Sequence, residues 1–283
     1  EPLIAKFYRP LRWSDEQILE EHQFALELLD HELPVIAPII VGTGDAGRSL
    51  LHHEEFRFSL WPRRGGHAPE LEDLDVLYTL GQHLGRLHAV GASRDFQARP
   101  RFDLQSFARD SASFLLQSGS IPTSLEPAYR AISEQLIEKM AAALELHPYR
   151  SLRIHGDCHP GNILCRPDSM YICDLDDSRM GPAIQDIWML ITGERAQRAT
   201  QLSALLDGYE EFYDFDLREL HLIETFRTMR IMHYAAWLAR RWDDPAFKLA
   251  FPWFNSERYW AEHILELKEQ FSALDEPSLT IFR

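Results

Sequence analysis

The stretch Leu152 to Ser178, LRIHGDCHPGNILCRPDSMYICDLDDS, decides how the rest of the chain is read. Its pattern predicts a short apolar strand over Leu152 to Ile154 and a polar loop over His155 to Asn162. A second strand follows over Ile163 to Cys165, then a turn around Arg166-Pro167-Asp168-Ser169 and a return strand over Met170 to Cys173 that ends in acids. Asp157, Asn162 and Asp174 each stand where apolar strand gives way to polar loop, so a hairpin brings all three to one edge. An Asp, an Asn and an Asp on one edge supply a base and a magnesium site.

Phosphoryl transfer from ATP asks for those residue types. A carboxylate must orient and deprotonate the attacking hydroxyl, and hard oxygen ligands must hold Mg²⁺ against the phosphates. Asp157 fits the first role; the Asn162 amide oxygen and the Asp174 carboxylate fit the second. Gly161 lets the backbone bend beside the metal. A rival reading takes His155, Asp157 and His159 as alternating zinc ligands of a metallohydrolase. It leaves Asn162 and Asp174 without a task.

The HGDxHxGN pattern, followed by a strand and DLDD, resembles the catalytic loop and metal-binding aspartate of aminoglycoside-phosphotransferase-like kinases, relatives of protein kinases. AKFYRP, EEHQFALELL, LGRLH, GPAIQDIWML and WLARRW extend the likeness over essentially the whole chain, toward the bacterial stress-response serine/threonine kinases of that family. The resemblance implies a bilobal α/β protein-kinase-like fold of the α+β kind. A small β-rich N-lobe (1–62) would carry a lysine strand, a helix and a hinge, and a larger, mainly helical C-lobe (63–283) the catalytic loop and metal site. It implies ATP and Mg²⁺ as cofactors, Asp157 as proton acceptor, Asn162 and Asp174 as magnesium ligands, and His155 as a loop-shaping residue. Asp186 stands where these kinases brace the catalytic loop, although a helix cap explains it too. Asp176 and Asp177 read either as ligands of a second magnesium or as turn acids. Neither DFG nor APE occurs, so an ordinary phosphorylated activation loop is not expected.

At the other end of the chain, the strand Leu3 to Tyr8 carries Lys6 at its centre. In kinase-like folds such a lysine follows two strands and a phosphate-covering loop. Their absence before Glu1 predicts roughly 40 further upstream residues. The next helix announces itself through Ser14 and Gln17 as a capping box, Trp13 and Ile18 as a hydrophobic staple, and Asp15 and Glu16 in its first turn. Ile18, Ala25, Leu28 and Leu29 define its apolar face, with Glu20 and Glu27 pointing away. Glu21 lies near the edge of that face. A carboxylate there wants a cation, and Lys6 is the candidate, with Glu20 as the alternative partner. Strands are predicted over PVIAPIIVG, SLLHH and EEFRFSLWP between Val35 and Pro62, and Ser59 to Pro62 reads as a hinge. There Leu60 and Trp61 are placed, by analogy, to meet the adenine through exposed backbone groups.

Beyond the hinge the pattern is helical: Leu74 to Val90, Leu104 to Gln117, Pro127 to Leu146, Gln201 to Phe212, Asp216 to Trp242 and Ser256 to Phe271. His88 sits on an apolar side and reads as a hydrogen-bonded core residue. Arg227, Arg230, Tyr234, Trp237 and Arg241 recur along one side of their helix, either as a packing face or as a wall facing substrate. The formal net charge of −15 argues against general nucleic-acid or anionic-membrane binding, and means that an ATP site must supply its own cations. No apolar run reaches the roughly 20 residues of a membrane span, and no signal segment opens the chain, so a soluble, cytoplasmic protein is expected, and it is taken as a monomer. Cys158, Cys165 and Cys173 are read as reduced thiols. Three functions remain at this stage: a protein serine/threonine kinase, a kinase of small alcohols of the aminoglycoside, choline or homoserine type, and a catalytically silent nucleotide-binding module.

Overall fold

The computed structural model describes residues 2–167 and 169–281, the Asp45 side chain excepted. Asp168, within the expected turn, therefore lies outside the described residues. In chain order the elements are β1 (Leu3–Phe7), α1 (Asp15–Asp30), β2 (Leu51–His53), β3 (Phe56–Pro62), α2 (Leu74–Gly91), α3 (Asp110–Ser118) and α4 (Glu126–Leu146). There follow β4 (Leu152–Ile154), β5 (Ile163–Arg166), β6 (Ser169–Ile172), β7 (Arg179–Gly181), α5 (Ile184–Ile187), α6 (Arg195–Tyr209), α7 (Ile223–Ala239), α8 (Pro245–Ala250) and α9 (Glu257–Ala273). One compact unit takes in the chain through Arg101 together with Arg150–Asp216; a second is built from Phe102–Tyr149 and Leu217–Leu279.

In the first unit, β1, β3 and β2 form an antiparallel sheet in that order, with Lys6 opposite Ser59 and Leu51 opposite Phe58. The capping box closes as expected: Gln17 N–H donates to Ser14 Oγ at 3.2 Å and Ser14 N–H to Gln17 Oε1 at 2.9 Å. Ile18, Phe24, Ala25 and Leu28 of α1 are fully buried. Leu29, expected on that face, is 48% exposed, because it falls past the edge of the stripe that packs inward. The expected strand PVIAPIIVG does not form. The segment stays extended and makes isolated bridges, Val35 with Ile172 and Val41 with Arg48, since Pro38 removes a donor from the middle of any ladder.

Helices α2 and α6 pack with backbones in close approach. A Cβ on Gly81 or Gly85 would land on the Leu205 or Tyr209 carbonyl oxygen, so those two positions exclude a side chain. That approach carries Tyr209 to His88, whose Nδ1 lies 2.8 Å from the phenol oxygen. Helix α6 begins at Arg195, six residues before the sequence pattern suggested, in a polar turn that carries no apolar stripe.

In the second unit α3 packs on α7 and α4 on α9. A π-helical turn over Gln105–Arg109 precedes α3, a 3₁₀ turn over Leu217–Leu222 precedes α7, and the short α8 was not foreseen. The Arg241 guanidinium lies 4.6 Å from the Trp237 ring, Trp237 packs on Phe247, and Arg227 pairs with Glu224 at 3.0 Å. Within its own unit the stripe of α7 packs through Trp237, while Tyr234 is 40% exposed.

Candidate functional site

Strands β5 and β6 form the expected hairpin, with Ile163 opposite Ile172. At its open end Cys173 N–H donates to the Asn162 carbonyl at 3.0 Å, which fixes Asn162 beside the residue that precedes Asp174. The Asn162 amide nitrogen donates to the Asp157 carbonyl at 3.0 Å, leaving its side-chain oxygen as the acceptor for a ligand. That oxygen and the 55%-exposed Asp174 side chain are hard donors of the kind a small divalent cation takes. Asp174 itself has φ +58°, a left-handed conformation that lifts its side chain off the strand line.

The loop from His155 to Asn162 hangs on one buried carboxylate. Asp186 Oδ2 accepts from His155 N–H at 2.7 Å and lies 3.0 Å from His88 Nε2, while Oδ1 accepts from Gly156 N–H at 2.8 Å. Asp186 is fully buried, so this is a brace for the loop rather than a helix cap. The His155 ring is spent on structure: its Nε2 lies 2.9 Å from the Cys173 carbonyl, and its Nδ1 accepts from Asp157 N–H at 3.3 Å. With both nitrogens engaged and the ring buried, His155 has no lone pair for zinc, and the metallohydrolase reading loses a ligand. The Asp157 side chain, 28% exposed, reaches the surface of the loop with Oδ2 3.6 Å from His159 Nε2.

The structure brings Lys6 to the same place. Its Nζ lies 3.1 Å from Asp174 Oδ1, 3.1 Å from Asp176 Oδ1 and 3.6 Å from Glu21 Oε1. Burial works against the Lys6 charge, but Glu21, Asp176 and Asp174 outweigh it and push the ammonium pKa up. Glu21 is fully buried and neither of its oxygens has a hydrogen-bond donor; the desolvation pushes it up to about 7 against the pull of Lys6. Glu20 is not the partner of Lys6. Its carboxylate accepts from the N–H groups of Gln97, Ala98 and Arg99 at 2.6, 2.9 and 2.8 Å. Glu27, expected to point away, is instead paired with the buried Arg153 at 2.8 Å.

Arg99 was passed over in the sequence. Buried at 4% exposure, it donates to the Asp176 and Ser178 carbonyls, to Gln17 O at 2.9 Å, and approaches Glu21 Oε2 at 3.9 Å. Arg12 bridges Asp176 and Asp177 at 2.7 and 3.1 Å, and Arg179 holds Asp177 Oδ1 at 2.9 Å. Asp176 and Asp177 are therefore ion-paired acids of the loop. The hinge needs correction in its backbone: the Leu60 carbonyl already accepts from Ile39 N–H at 2.8 Å, and Arg63 N–H donates to Pro2 O at 3.0 Å. What Trp61 presents is a buried ring, pinned by Nε1 to Ser59 Oγ at 2.6 Å and 5.6 Å from Lys6 Nζ.

The structure thus brings Lys6 and the buried Glu21 to the hairpin mouth that carries Asn162 and Asp174. The chain belongs to the phosphotransferase enzyme family (APH), whose family model matches residues 1–223. Over 278 residues, 98% of this chain and 83% of the relative, it is 42% identical to stress response kinase A of Escherichia coli strain K12. A match of the same extent, at 41% identity, is to the serine/threonine protein kinase RdoA of Salmonella typhimurium strain LT2. Among solved structures, amicoumacin kinase hAmiN in complex with AMP-PNP, Ca²⁺ and Ami superposes with a TM-score of 0.72 at 18% identity, covering 99% of this chain and 84% of that one. A microcompartment-associated aminopropanol kinase gives 0.70 at 17% identity, covering 98% and 88%. These two share the fold. The chain is a phosphotransferase, a kinase. No described helix is long and apolar enough to cross a membrane.

Proposed function

We propose that the chain is a serine/threonine protein kinase of a bacterial stress response, with Asp157 as the residue that orients and deprotonates the acceptor hydroxyl. What carries the reading is the junction at Lys6, where the strand, the buried Glu21 of α1 and the Asp174 loop meet within 3.6 Å. The identity of 41–42% to stress response kinase A and RdoA along nearly the whole chain supports the choice of a protein acceptor. The lobes divide near Pro62, with Leu60 and Trp61 forming the apolar wall against which the adenine rests. Three free cysteines suit the reducing cytoplasm.

In this reading Lys6, held protonated by its carboxylates, meets the ATP phosphates. Asn162 and Asp174 hold Mg²⁺, which supplies charge neutralisation on the phosphates when bound. Asp157 takes the proton of the acceptor hydroxyl as its oxygen forms a bond to the γ-phosphorus, and the bond to the bridging oxygen breaks to release ADP. The Asp186 brace keeps the loop in place while Asp157 gains that proton, so alignment of the base needs no rearrangement.

The test is transfer of labelled γ-phosphate from Mg-ATP to the protein itself, to dephosphorylated casein and to a panel of small alcohols, beside Asp157→Asn. Label on serine or threonine, lowered by at least a hundredfold in Asp157→Asn, is the expected result. Label on a small alcohol alone replaces the protein acceptor with a metabolite or antibiotic. ATP binding without transfer to any acceptor returns the silent-module reading.

A further inference from the structure

The roles above leave the His159 side chain without a task and give Gly161 only a backbone bend, yet the two are built as a pair. Gly161 N–H donates to His159 Nδ1 at 3.0 Å, so a neutral ring carries its proton on Nε2. That nitrogen faces Asp157 Oδ2 at 3.6 Å. The ring lies over Gly161 so closely that a Cβ there would stand 2.7 Å from Cε1 and 2.9 Å from Nδ1. A side chain at residue 161 would displace the imidazole. Backbone bonds hold the same turn, with His159 N–H donating to Asp157 O and Asn162 N–H to His159 O, both at 2.9 Å. The His159 side chain is 40% exposed, so it fills no core.

We infer that His159 is a positioning residue for Asp157. Its Nε2–H is aimed at the carboxylate oxygen and holds it toward the acceptor hydroxyl, and Gly161 is glycine so that the ring can lie in that place. The imidazole does not relay the proton onward, because its other nitrogen is engaged by Gly161 N–H and Nε2 already bears hydrogen. It acts through orientation. The gap of 3.6 Å closes to a hydrogen bond when acceptor and Mg-ATP fill the site, since catalytic contacts are often long without ligands. This inference rests on the assignment of Asp157 as the base.

The experiment is a double-mutant cycle of His159→Ala and Gly161→Ala, with Asp157→Asn beside it. It is read as initial rates of transfer from labelled Mg-ATP to dephosphorylated casein, and to water when casein is omitted. His159→Ala is expected to lower kcat about tenfold, as for loss of one hydrogen bond to a charged group. The KM for Mg-ATP should stay within about twofold and the melting temperature should not move, because the side chain is exposed and the binding residues are intact. Gly161→Ala should produce the same loss, and the double variant should be no worse than either single. His159→Gln, whose amide also donates, should recover part of the rate. Fully additive losses, which would make Gly161 a matter of backbone strain, overturn the inference. So does an unchanged kcat in His159→Ala while Asp157→Asn is inactive. An active Asp157→Asn overturns the base assignment itself, and this inference with it.

Discussion

Two loops of opposite polarity meet at the site, and they are held by opposite means. The loop from His155 turns its backbone N–H groups inward and is gathered by one buried acid, Asp186. The loop from Asp174 to Ser178 presents carbonyls and carboxylates and is gathered by bases, Arg12, Arg99 and Arg179. A carboxylate accepts several N–H groups at one point, whereas a guanidinium spreads donors over several acceptors. The loop from His155 is thus pinned at a point and the acidic loop is clasped along its length. Pinning should be the more fragile arrangement.

Asp186→Ala tests the pin. It strands the N–H groups of His155 and Gly156 and the His88 ring in a dry site, and should cost about 4 kcal/mol in urea unfolding, with transfer activity lost. Asp186→Asn keeps an acceptor oxygen and should recover about half of that stability. Arg99→Met tests the clasp. Orphaned carbonyls are tolerated better than orphaned N–H groups, and Arg12 and Arg179 stay in place, so the loss should be nearer 2–3 kcal/mol. If Arg99→Met proves the costlier of the two by the same assay, the contrast between the loops is wrong.

The smallest expected effect concerns pH. Burial holds the Glu21 carboxyl near 7 in the folded chain against an unfolded value near 4.5, so between those values the folded state keeps a proton that the unfolded state releases. The contribution is fully present below about 4.5 and is lost as pH rises through about 7. The stability difference between the natural chain and Glu21→Gln, measured by urea unfolding from pH 5 to 8, should therefore move against the natural chain by about 2 kcal/mol. A flat difference would mean that Lys6 keeps Glu21 ionised throughout.

The parts of this molecule that were legible in the sequence are those with a local signature. Ser14 with Gln17 fixed the start of α1, and the misplaced charge of Glu21 on an apolar face pointed to Lys6, which lies 3.6 Å away. The spacing of Asp157, Asn162 and Asp174 placed them at one end of the β5–β6 hairpin because strand alternation and turn chemistry are short-range. Arg99 and the Arg153–Glu27 pair were not legible. They join residues some 80 and 126 positions apart through guanidinium groups that local periodicity reads only as surface charge. The strand over PVIAPIIVG failed for a converse reason: its apolar run satisfied the pattern, but Pro38 denied it a ladder. Trp61 reached the site as a ring, with the neighbouring Leu60 carbonyl already bonded to a segment that carried no motif.

Gly156 is where the two loops touch. It has φ +85°, and a Cβ there would strike the Asp177 carbonyl oxygen, so main chain rests directly on main chain between the loop from His155 and the acidic loop. The gauge between them is consequently set by atomic radii, and Arg179 Nε closes on the same Asp177 carbonyl at 2.8 Å. Any side chain at position 156 would therefore push the two loops apart.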